Sequence, residues 1–275
     1  MPVSVKPLDA PLGAEISGVD VRNITAADSK AIFDAYIKHH VVVVHGPVID
    51  DAELVQFGKC FGDIEEARFK SPLTTRDDIM VISNIREDGK LLGSLPDGEM
   101  AFHFDRIHQK KPCRGAALHA IEIPQEGGDT CFANMVKAYE TLPEPTKKRL
   151  EGLTALNAFT YGSTQPGMKD DAEKGPHAHH PVVRTIPQTG KKALYVSRLM
   201  TDRINGLSPQ ASRALIDELC DHIEQPKFIY QHKWKVGDIV VWDNRCTSHA
   251  RTDFSDKERR LMKRVTISDD AIPAA

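Results

Sequence analysis

The stretch "GDIVVWDNRCTSHARTDFSDKERRLMKRVTI", residues 237–267, holds two β-like runs joined by a polar segment that contains His249. If its second run, "RRLMKRVTI", is a strand, Arg260, Met262 and Arg264 lie on one face, because strand side chains alternate between faces. Two guanidinium groups on an interior face need an anionic partner, since a buried arginine is costly alone. Their forked donors fit a carboxylate. The stretch therefore predicts a β-structure with an anion site inside it.

Further short β runs occur between about Arg114 and residue 237. They are "RGAALHAIEI", "GGDTCFAN", "KALYVS" and "KFIYQHKW", with glycine, proline and aspartate between them. They favour a sandwich, barrel or jelly roll. One long helix is predicted among them in "SPQASRALIDELCDHIEQ", with Ser208 as N-cap and Pro209 at the first helical position. "PGMKDDAEKGPHAHHP", residues 166–181, is predicted to be a mobile loop or lid.

The N-terminal part alternates helix and strand patterns. "TAADSKAIFDAYIKHH" has apolar residues at helical spacing after Thr25, a plausible cap, and "VVVVH" predicts a buried strand. "DDAELVQFGKCFG" predicts a second helix that ends at Gly62, and "DDIMVISN" predicts another strand. Helices placed before and between groups of strands favour an α+β fold over a doubly wound sheet.

Composition narrows the class of protein. The 275 residues suit one large domain or two small ones, and we take residues 1–275 as a single domain. A net charge of −3 and a pI of about 6.5 argue against nucleic-acid and membrane-surface binding. The short apolar runs and the absence of a secretory signal pattern lead us to expect a cytoplasmic protein. Five cysteines without a Cys-x-x-Cys pair argue against a zinc site.

A metal site is suggested by "EMAFHFDRIH", residues 99–108. On a strand, His103 and Asp105 point to the same side. An imidazole and a carboxylate suit iron, manganese or zinc, and His249 could be the third ligand. Taken alone, such a triplet can also be ordinary polar residues beside a loop. "GGDTCFAN" adds Thr130, whose hydroxyl could share the carboxylate that Arg260 holds.

The combined pattern resembles the taurine/2,4-dichlorophenoxyacetate dioxygenase (TauD/TfdA) family of Fe(II)- and 2-oxoglutarate-dependent oxygenases. That family has His-x-Asp, a threonine some two dozen residues on, a distant histidine, and an arginine about ten residues later. Here these are His103, Asp105, Thr130, His249 and Arg260. Segments such as "EIPQEGGDTCFANMVKAYETLP" and "VGDIVVWDNRCTSHA" extend the likeness over nearly the whole chain. One departure is a phenylalanine before the first histidine, where the family usually has tryptophan.

The resemblance implies a double-stranded β-helix (jelly roll) core with flanking helices. It implies that His103, Asp105 and His249 bind Fe(II), and that Thr130 and Arg260 hold the far carboxylate of 2-oxoglutarate. Dioxygen would be the third reactant, and succinate and carbon dioxide would be released as an unactivated C–H bond is hydroxylated. The aspartate in the triplet implies hydroxylation rather than halogenation. Family members are often dimers or tetramers, so a homo-oligomer is expected.

The substrate is expected to be a small organic anion. Arg264 matches the family position that often meets the substrate's acidic group, and Lys70 falls where the phenoxyacetate-degrading branch carries a lysine. Together they would form a clamp for a carboxylate, such as an aryloxyalkanoate. Taurine, an alkylsulfonate or an alkyl sulfate is the alternative substrate. A non-catalytic, cupin-like metal-binding module is the alternative class, but it leaves Arg260 and Thr130 without a role.

Overall fold

The computed structural model describes residues 2–94, 98–159, 172–269 and 271–275. The helices are α1 (Ala26–His39), α2 (Asp51–Gly58), α3 (Met135–Glu140), α4 (Glu144–Leu150) and α5 (Pro209–Ile223), with a 3₁₀ turn at Pro226–Phe228. The strands are β1 (Ser4–Pro7), β2 (Ala14–Ser17), β3 (Val41–Val44), β4 (Ile64–Glu65), β5 (Met80–Ser83), β6 (Arg86–Glu87), β7 (Lys90–Leu91), β8 (Met100–His103), β9 (Gly115–Glu122), β10 (Thr130–Asn134), β11 (Thr154–Ala158), β12 (His177–Pro181), β13 (Val183–Thr185), β14 (Lys192–Leu194), β15 (Thr201–Ile204), β16 (Ile229–His232), β17 (Ile239–Asp243), β18 (Thr247–Arg251) and β19 (Leu261–Ile267).

Helix starts agree with the sequence pattern. Thr25 caps α1 in a capping box with Asp28, and Ser208 caps α5 with a proline directly after it. The predicted end of α2 is wrong, because this helix stops at Gly58 rather than at Gly62. The predicted lid lies outside the described residues in its first part, while residues 177–181 form β12.

A mixed eight-stranded sheet forms one wall of the molecule. Its order is β1-β2-β3-β17-β9-β19-β4, and β5 also pairs with β19. Strands β17 and β9 lie at its centre, and β17 is buried along its whole length. This burial on both faces explains the continuous apolar run "IVVW". On the outer side, α1 and α2 pack against the sheet through a core that includes Ile32, Tyr36, Phe57 and Val241.

The second wall is a four-stranded antiparallel sheet in the order β16-β10-β18-β8. Phe132 on β10 packs against Trp242 of the larger sheet, with ring centroids 5.6 Å apart. A shared apolar cluster that also holds Val240 and Met262 joins the two sheets. Residues of both sheets line the candidate site, so this packing positions the site from both sides.

The remaining elements cover the smaller sheet. A three-stranded sheet, β12-β11-β15, packs with α5, and α3 packs with β14, around a separate apolar core. The architecture is thus strand-rich with few helices, as the α+β prediction requires. Among the described residues, no helix combines the length and the apolar character needed to cross a bilayer.

Candidate metal and 2-oxoglutarate site

The three predicted metal ligands meet between neighbouring strands. His103 is the last residue of β8, Asp105 lies two residues further on, and His249 lies in β18. Antiparallel pairing places His103 directly opposite His249, and their ring centroids are 4.1 Å apart. One donor atom from each of the three residues lies within 4.8 Å of the others. Two imidazoles and one carboxylate at this spacing could hold a metal ion.

The protonation states of the triad suit a cation. Burial, with His103 as a neighbour, lowers the pKa of His249 to about 3, and burial also lowers the pKa of His103. Burial acts to raise the pKa of Asp105, but the guanidinium of Arg264 and the two imidazoles bring it down to about 2. At neutral pH the site therefore offers two neutral imidazoles and one carboxylate, which are the forms that bind metal.

Hydrogen bonds select the nitrogen atoms available for a metal. Nδ1 of His103 lies 2.9 Å from the carbonyl of Ala101, so Nδ1–H donates there and Nε2 keeps its lone pair. Nε2 of His249 faces Asp105 at 3.7 Å, while its buried Nδ1 has no hydrogen-bond partner among the described residues. The donor set and its orientation fit Fe(II).

The side chain of Asn244 bonds to the backbone of Asp105, the candidate carboxylate ligand. Its side-chain oxygen accepts from the backbone N–H of Asp105 at 2.8 Å, and its amide donates to the Asp105 carbonyl at 2.9 Å. Asn244 therefore holds the backbone of Asp105 on both sides. The hydroxyl of Ser248 in turn donates to the carbonyl of His103.

We expect Asn244→Ala to weaken metal binding about 10- to 100-fold, because outer partners of ligands typically contribute this much. The triad itself stays intact in this variant. The measurement is a titration of the apo-protein with Fe(II) under anaerobic conditions, or with Mn(II). Asn205→Ala removes an amide that bonds to the distant Thr154 and His179, and serves as the control. Equal affinities in the two variants would contradict the role of Asn244.

A buried arginine and a threonine lie beside the three candidate metal ligands. Arg260 and Thr130 line the same cavity of about 50 Å³ as His103 and His249. Arg260 is 2% exposed and has no carboxylate within 4.0 Å among the described residues. Its NH2 group donates to the carbonyl of Gly128 at 3.3 Å, while its Nε has no partner there.

The electrostatics of Arg260 favour an added anion. Burial and the nearby Arg251 lower its pKa to about 9, against a smaller opposite effect of Asp129. A buried cation in this state is stabilised by a carboxylate in the cavity. Gly128 makes room for the arginine, because a Cβ there would lie 3.2 Å from Nε of Arg260. As predicted, Arg260 and Thr130 line the same cavity.

Arg264 lies between this cavity and a larger one. It lines both, and its NH1 group donates to the two oxygens of Asp105 at 3.0 and 3.2 Å. Its buried Nε has no partner among the described residues. Arg260 and Arg264 therefore share an interior face, as strand alternation requires, and Arg264 borders both cavities.

The larger cavity has a volume of about 300 Å³ and opens to solvent. Most of its wall is apolar, and the aromatic and long aliphatic side chains that line it are Phe69, Met80, Met100, Phe104, Phe159, Leu199 and Met200. Such a wall fits an organic substrate with an apolar body.

Lys70, the second half of the predicted carboxylate clamp, does not line this cavity. Its ammonium group pairs with Asp77 at 2.9 Å, and its side chain is 81% exposed. Neighbouring Arg68 and Phe69 line the cavity instead, with the guanidinium of Arg68 5.5 Å from the centre of the Phe69 ring. The physical reason is side-chain direction on a short segment, which places Lys70 outward. The structure does not support a substrate role for Lys70.

Several residues at the site were not found from the sequence. Arg106 lines the substrate cavity with a positive φ of 56° and pairs with Glu65. Trp234 donates a hydrogen bond to the hydroxyl of Thr130. A tryptophan before a predicted turn carries no signal of its own, but its position next to β16, the strand paired with β10, could have indicated contact with Thr130.

Comparison with known proteins agrees with this geometry. Residues 4–266 match the model of the family described as "Taurine catabolism dioxygenase TauD, TfdA family". The chain is 32% identical to pentalenolactone F synthase of Streptomyces arenae, over 95% of this chain and 94% of that protein. It is 30% identical to an alpha-ketoglutarate-dependent 2,4-dichlorophenoxyacetate dioxygenase of Cupriavidus pinatubonensis, over 99% and 100%. The crystal structure of AAD-2 in complex with Mn(II) and N-oxalylglycine superposes with a TM-score of 0.84 at 28% identity, covering both chains fully.

The fold and the His-Asp-His site define the class of protein, an iron- and 2-oxoglutarate-dependent dioxygenase that also consumes O₂. The chain belongs to the TauD/TfdA family. The resemblance inferred from the sequence motif is confirmed, and the cupin-like binding module is excluded as the class.

Proposed function

We propose that this enzyme hydroxylates an unactivated C–H bond of a small carboxylic acid with an apolar body, of the aryloxyalkanoate type. The observation that carries the proposal is the cavity of about 300 Å³, whose walls are largely apolar and which Arg264 lines beside the candidate metal ligand Asp105. A substrate anion on Arg264 would bring its neighbouring carbon atoms close to the metal site.

Different residues of the chain would hold the metal and the co-substrate. When bound, Fe(II) with 2-oxoglutarate and O₂ supplies the oxidation of a C–H bond, with succinate and carbon dioxide as co-products. His103, Asp105 and His249 would hold the metal, and Arg260 and Thr130 would bind the far carboxylate of 2-oxoglutarate. The cavity that these groups line together would orient the co-substrate.

The lining of the large cavity favours an apolar acid over taurine. Its carboxylate among the described residues is Asp105, which is engaged as a metal ligand. Glu65 lies nearby but pairs with Arg106. The ammonium group of taurine would therefore lack an acidic partner, and desolvating it there is costly. An alkyl sulfate has no ammonium group and remains the second candidate, because a guanidinium can bind it as well.

Two structural points belong to the same proposal. We infer that the eight-stranded and four-stranded sheets form the double-stranded β-helix of the family, within one domain that spans residues 1–275. Support comes from the apolar cluster that joins the sheets and from the site held between them. The expectations of a homo-oligomer and of a cytoplasmic location stay predictions.

Arg264→Ala should raise the KM for the carboxylate substrate about 30-fold or more. Loss of one partner of a buried, hydrogen-bonded charge pair costs about 2–5 kcal/mol. The measurement is succinate release with an aryloxyalkanoate as substrate. Because Arg264 also donates to Asp105, the KM is measured at saturating metal, and succinate formed without a prime substrate reports metal and 2-oxoglutarate binding in the variant.

Lys70→Ala is the matched control, because it removes an exposed cation that pairs with Asp77 and does not line the cavity. It should behave like the parent. An equal rise in KM for both variants would restore the two-residue clamp. An unchanged KM in Arg264→Ala would remove Arg264 from substrate binding and with it the proposed substrate class.

A further inference from the structure

The hydroxyl of Thr130 has a buried hydrogen-bond donor behind it. Nε1 of Trp234 lies 3.1 Å from Oγ1 of Thr130, and the two residues are 8% and 5% exposed. The threonine is the first residue of β10, and it lines the same small cavity as Arg260. The contact joins the proposed anion site to a residue outside it, since Trp234 does not line that cavity.

The chemistry of the two groups fixes the direction of this hydrogen bond. An indole N–H can only donate, whereas a hydroxyl has one hydrogen and two lone pairs. Once the oxygen of Thr130 accepts from Trp234, its own hydrogen is left for another acceptor. An ionised carboxylate offers acceptors only, and a hydrogen bond to it is stronger than one between neutral groups.

We propose that Trp234 is a positioning residue for the co-substrate, because its indole N–H orients the Thr130 hydroxyl as a donor to the far carboxylate of 2-oxoglutarate. This inference rests on the proposed function, in which Thr130 and Arg260 bind that carboxylate. Trp234 touches neither substrate nor metal, and acts through Thr130 alone.

The turn that carries Trp234 is rigidly held. The carboxylate of Asp238 accepts from the backbone N–H of Lys235 at 2.9 Å and lies 3.0 Å from Nε2 of His232. The His232 ring packs edge-on against Trp234, with centroids 4.6 Å apart. At the end of the turn, Gly237 has a φ of 91°, and a Cβ there would collide with the carbonyl of Gly46.

The strand that bears Thr130 pairs with β16, the strand that leads into this turn. His232 is the direct partner of Thr130 across the β10–β16 ladder. The indole is thus fixed from its own turn and from the strand that bears its acceptor. Because the indole N–H is already fixed, less conformational entropy is lost in orienting the Thr130 hydroxyl when the carboxylate binds.

The test is the affinity for 2-oxoglutarate of Trp234→Phe, measured by calorimetry in the absence of O₂ with Mn(II) as the metal. We expect the affinity for 2-oxoglutarate to fall about 3- to 30-fold. The hydrogen bond from Thr130 to the charged carboxylate would be weakened in this variant, but not removed. N-oxalylglycine, which has the same far carboxylate, should lose affinity by a similar factor. The kcat at saturating 2-oxoglutarate should stay within about twofold of the parent.

A double-mutant cycle with Thr130→Val separates positioning from packing. Adding Trp234→Phe to Thr130→Val should cause no further loss of affinity, because the hydroxyl that the indole orients is already absent. Losses that multiply would overturn the proposal, as would parent-like affinity in Trp234→Phe. A fall in kcat with unchanged affinity would overturn it too.

A second variant covers the case in which Trp234→Phe does not fold. Benzothienylalanine at position 234, introduced by codon suppression, keeps the shape of the indole and replaces its N–H by sulfur. It should reproduce the loss of affinity, and parent-like binding would reject the inference. Failure of the proposed anion site looks different, because Arg260→Ala and Thr130→Val would then bind 2-oxoglutarate like the parent.

Discussion

Alanine in place of His103, Asp105 or His249 should abolish Fe(II)-dependent succinate formation. The three donors lie within 4.8 Å of one another, and two ligands hold a metal ion poorly. The loss should appear both with and without a prime substrate, since co-substrate turnover itself needs the metal. The measurement combines succinate release with Fe(II) or Mn(II) binding to each purified variant.

His177→Ala is the matched control, because it removes an exposed imidazole on β12. Its activity should equal that of the parent, and thermal unfolding should show that all variants fold. Full activity in any one of the triad variants would remove that residue from the ligand set.

Arg260→Ala should weaken 2-oxoglutarate binding by about 100-fold or more. Leaving a buried charge without its partner costs about 3–5 kcal/mol, and here the unpaired group is the far carboxylate of the co-substrate. Thr130→Val should cost less, about 0.5–3 kcal/mol for one hydrogen bond. Calorimetric titration with 2-oxoglutarate and Mn(II) in the absence of O₂ measures both losses.

Two controls accompany this prediction. Arg259→Ala removes the neighbouring arginine, which is 63% exposed and pairs with Glu122, and should bind 2-oxoglutarate like the parent. Arg260→Met should lose 2-oxoglutarate binding yet unfold at a temperature no lower than the ligand-free parent, because burial of the charged guanidinium opposes folding. Parent-like 2-oxoglutarate binding in Arg260→Met would place the anion site elsewhere.

Much of the placement of the candidate metal and co-substrate residues could be predicted from sequence, because these residues follow strand geometry. Alternation on the last strand correctly placed Arg260 and Arg264 on one interior face. The order and spacing of the His-x-Asp motif, Thr130 and His249 identified the rest. Helix starts were predictable for a similar reason, since capping depends on a few neighbouring residues.

The substrate cavity could not be predicted in the same way, because distant segments build it. Phe69, Phe159 and Leu199 come from separate parts of the chain and meet only after folding. The prediction for Lys70 depended on the direction of one side chain in an irregular segment, which periodicity does not determine. Asn244 likewise contacts Asp105 through a turn whose conformation depends on tertiary packing.

The most direct test of the central claim is succinate release from 2-oxoglutarate by the parent protein with Fe(II), ascorbate and O₂. The panel of prime substrates consists of aryloxyalkanoates, alkyl sulfates and taurine. We predict Fe(II)-dependent succinate that an aryloxyalkanoate stimulates more than taurine does, with one hydroxylated product for each succinate in the coupled reaction. Absence of succinate with every substrate would contradict the dioxygenase assignment, and stimulation by taurine above all carboxylates would contradict the proposed substrate class.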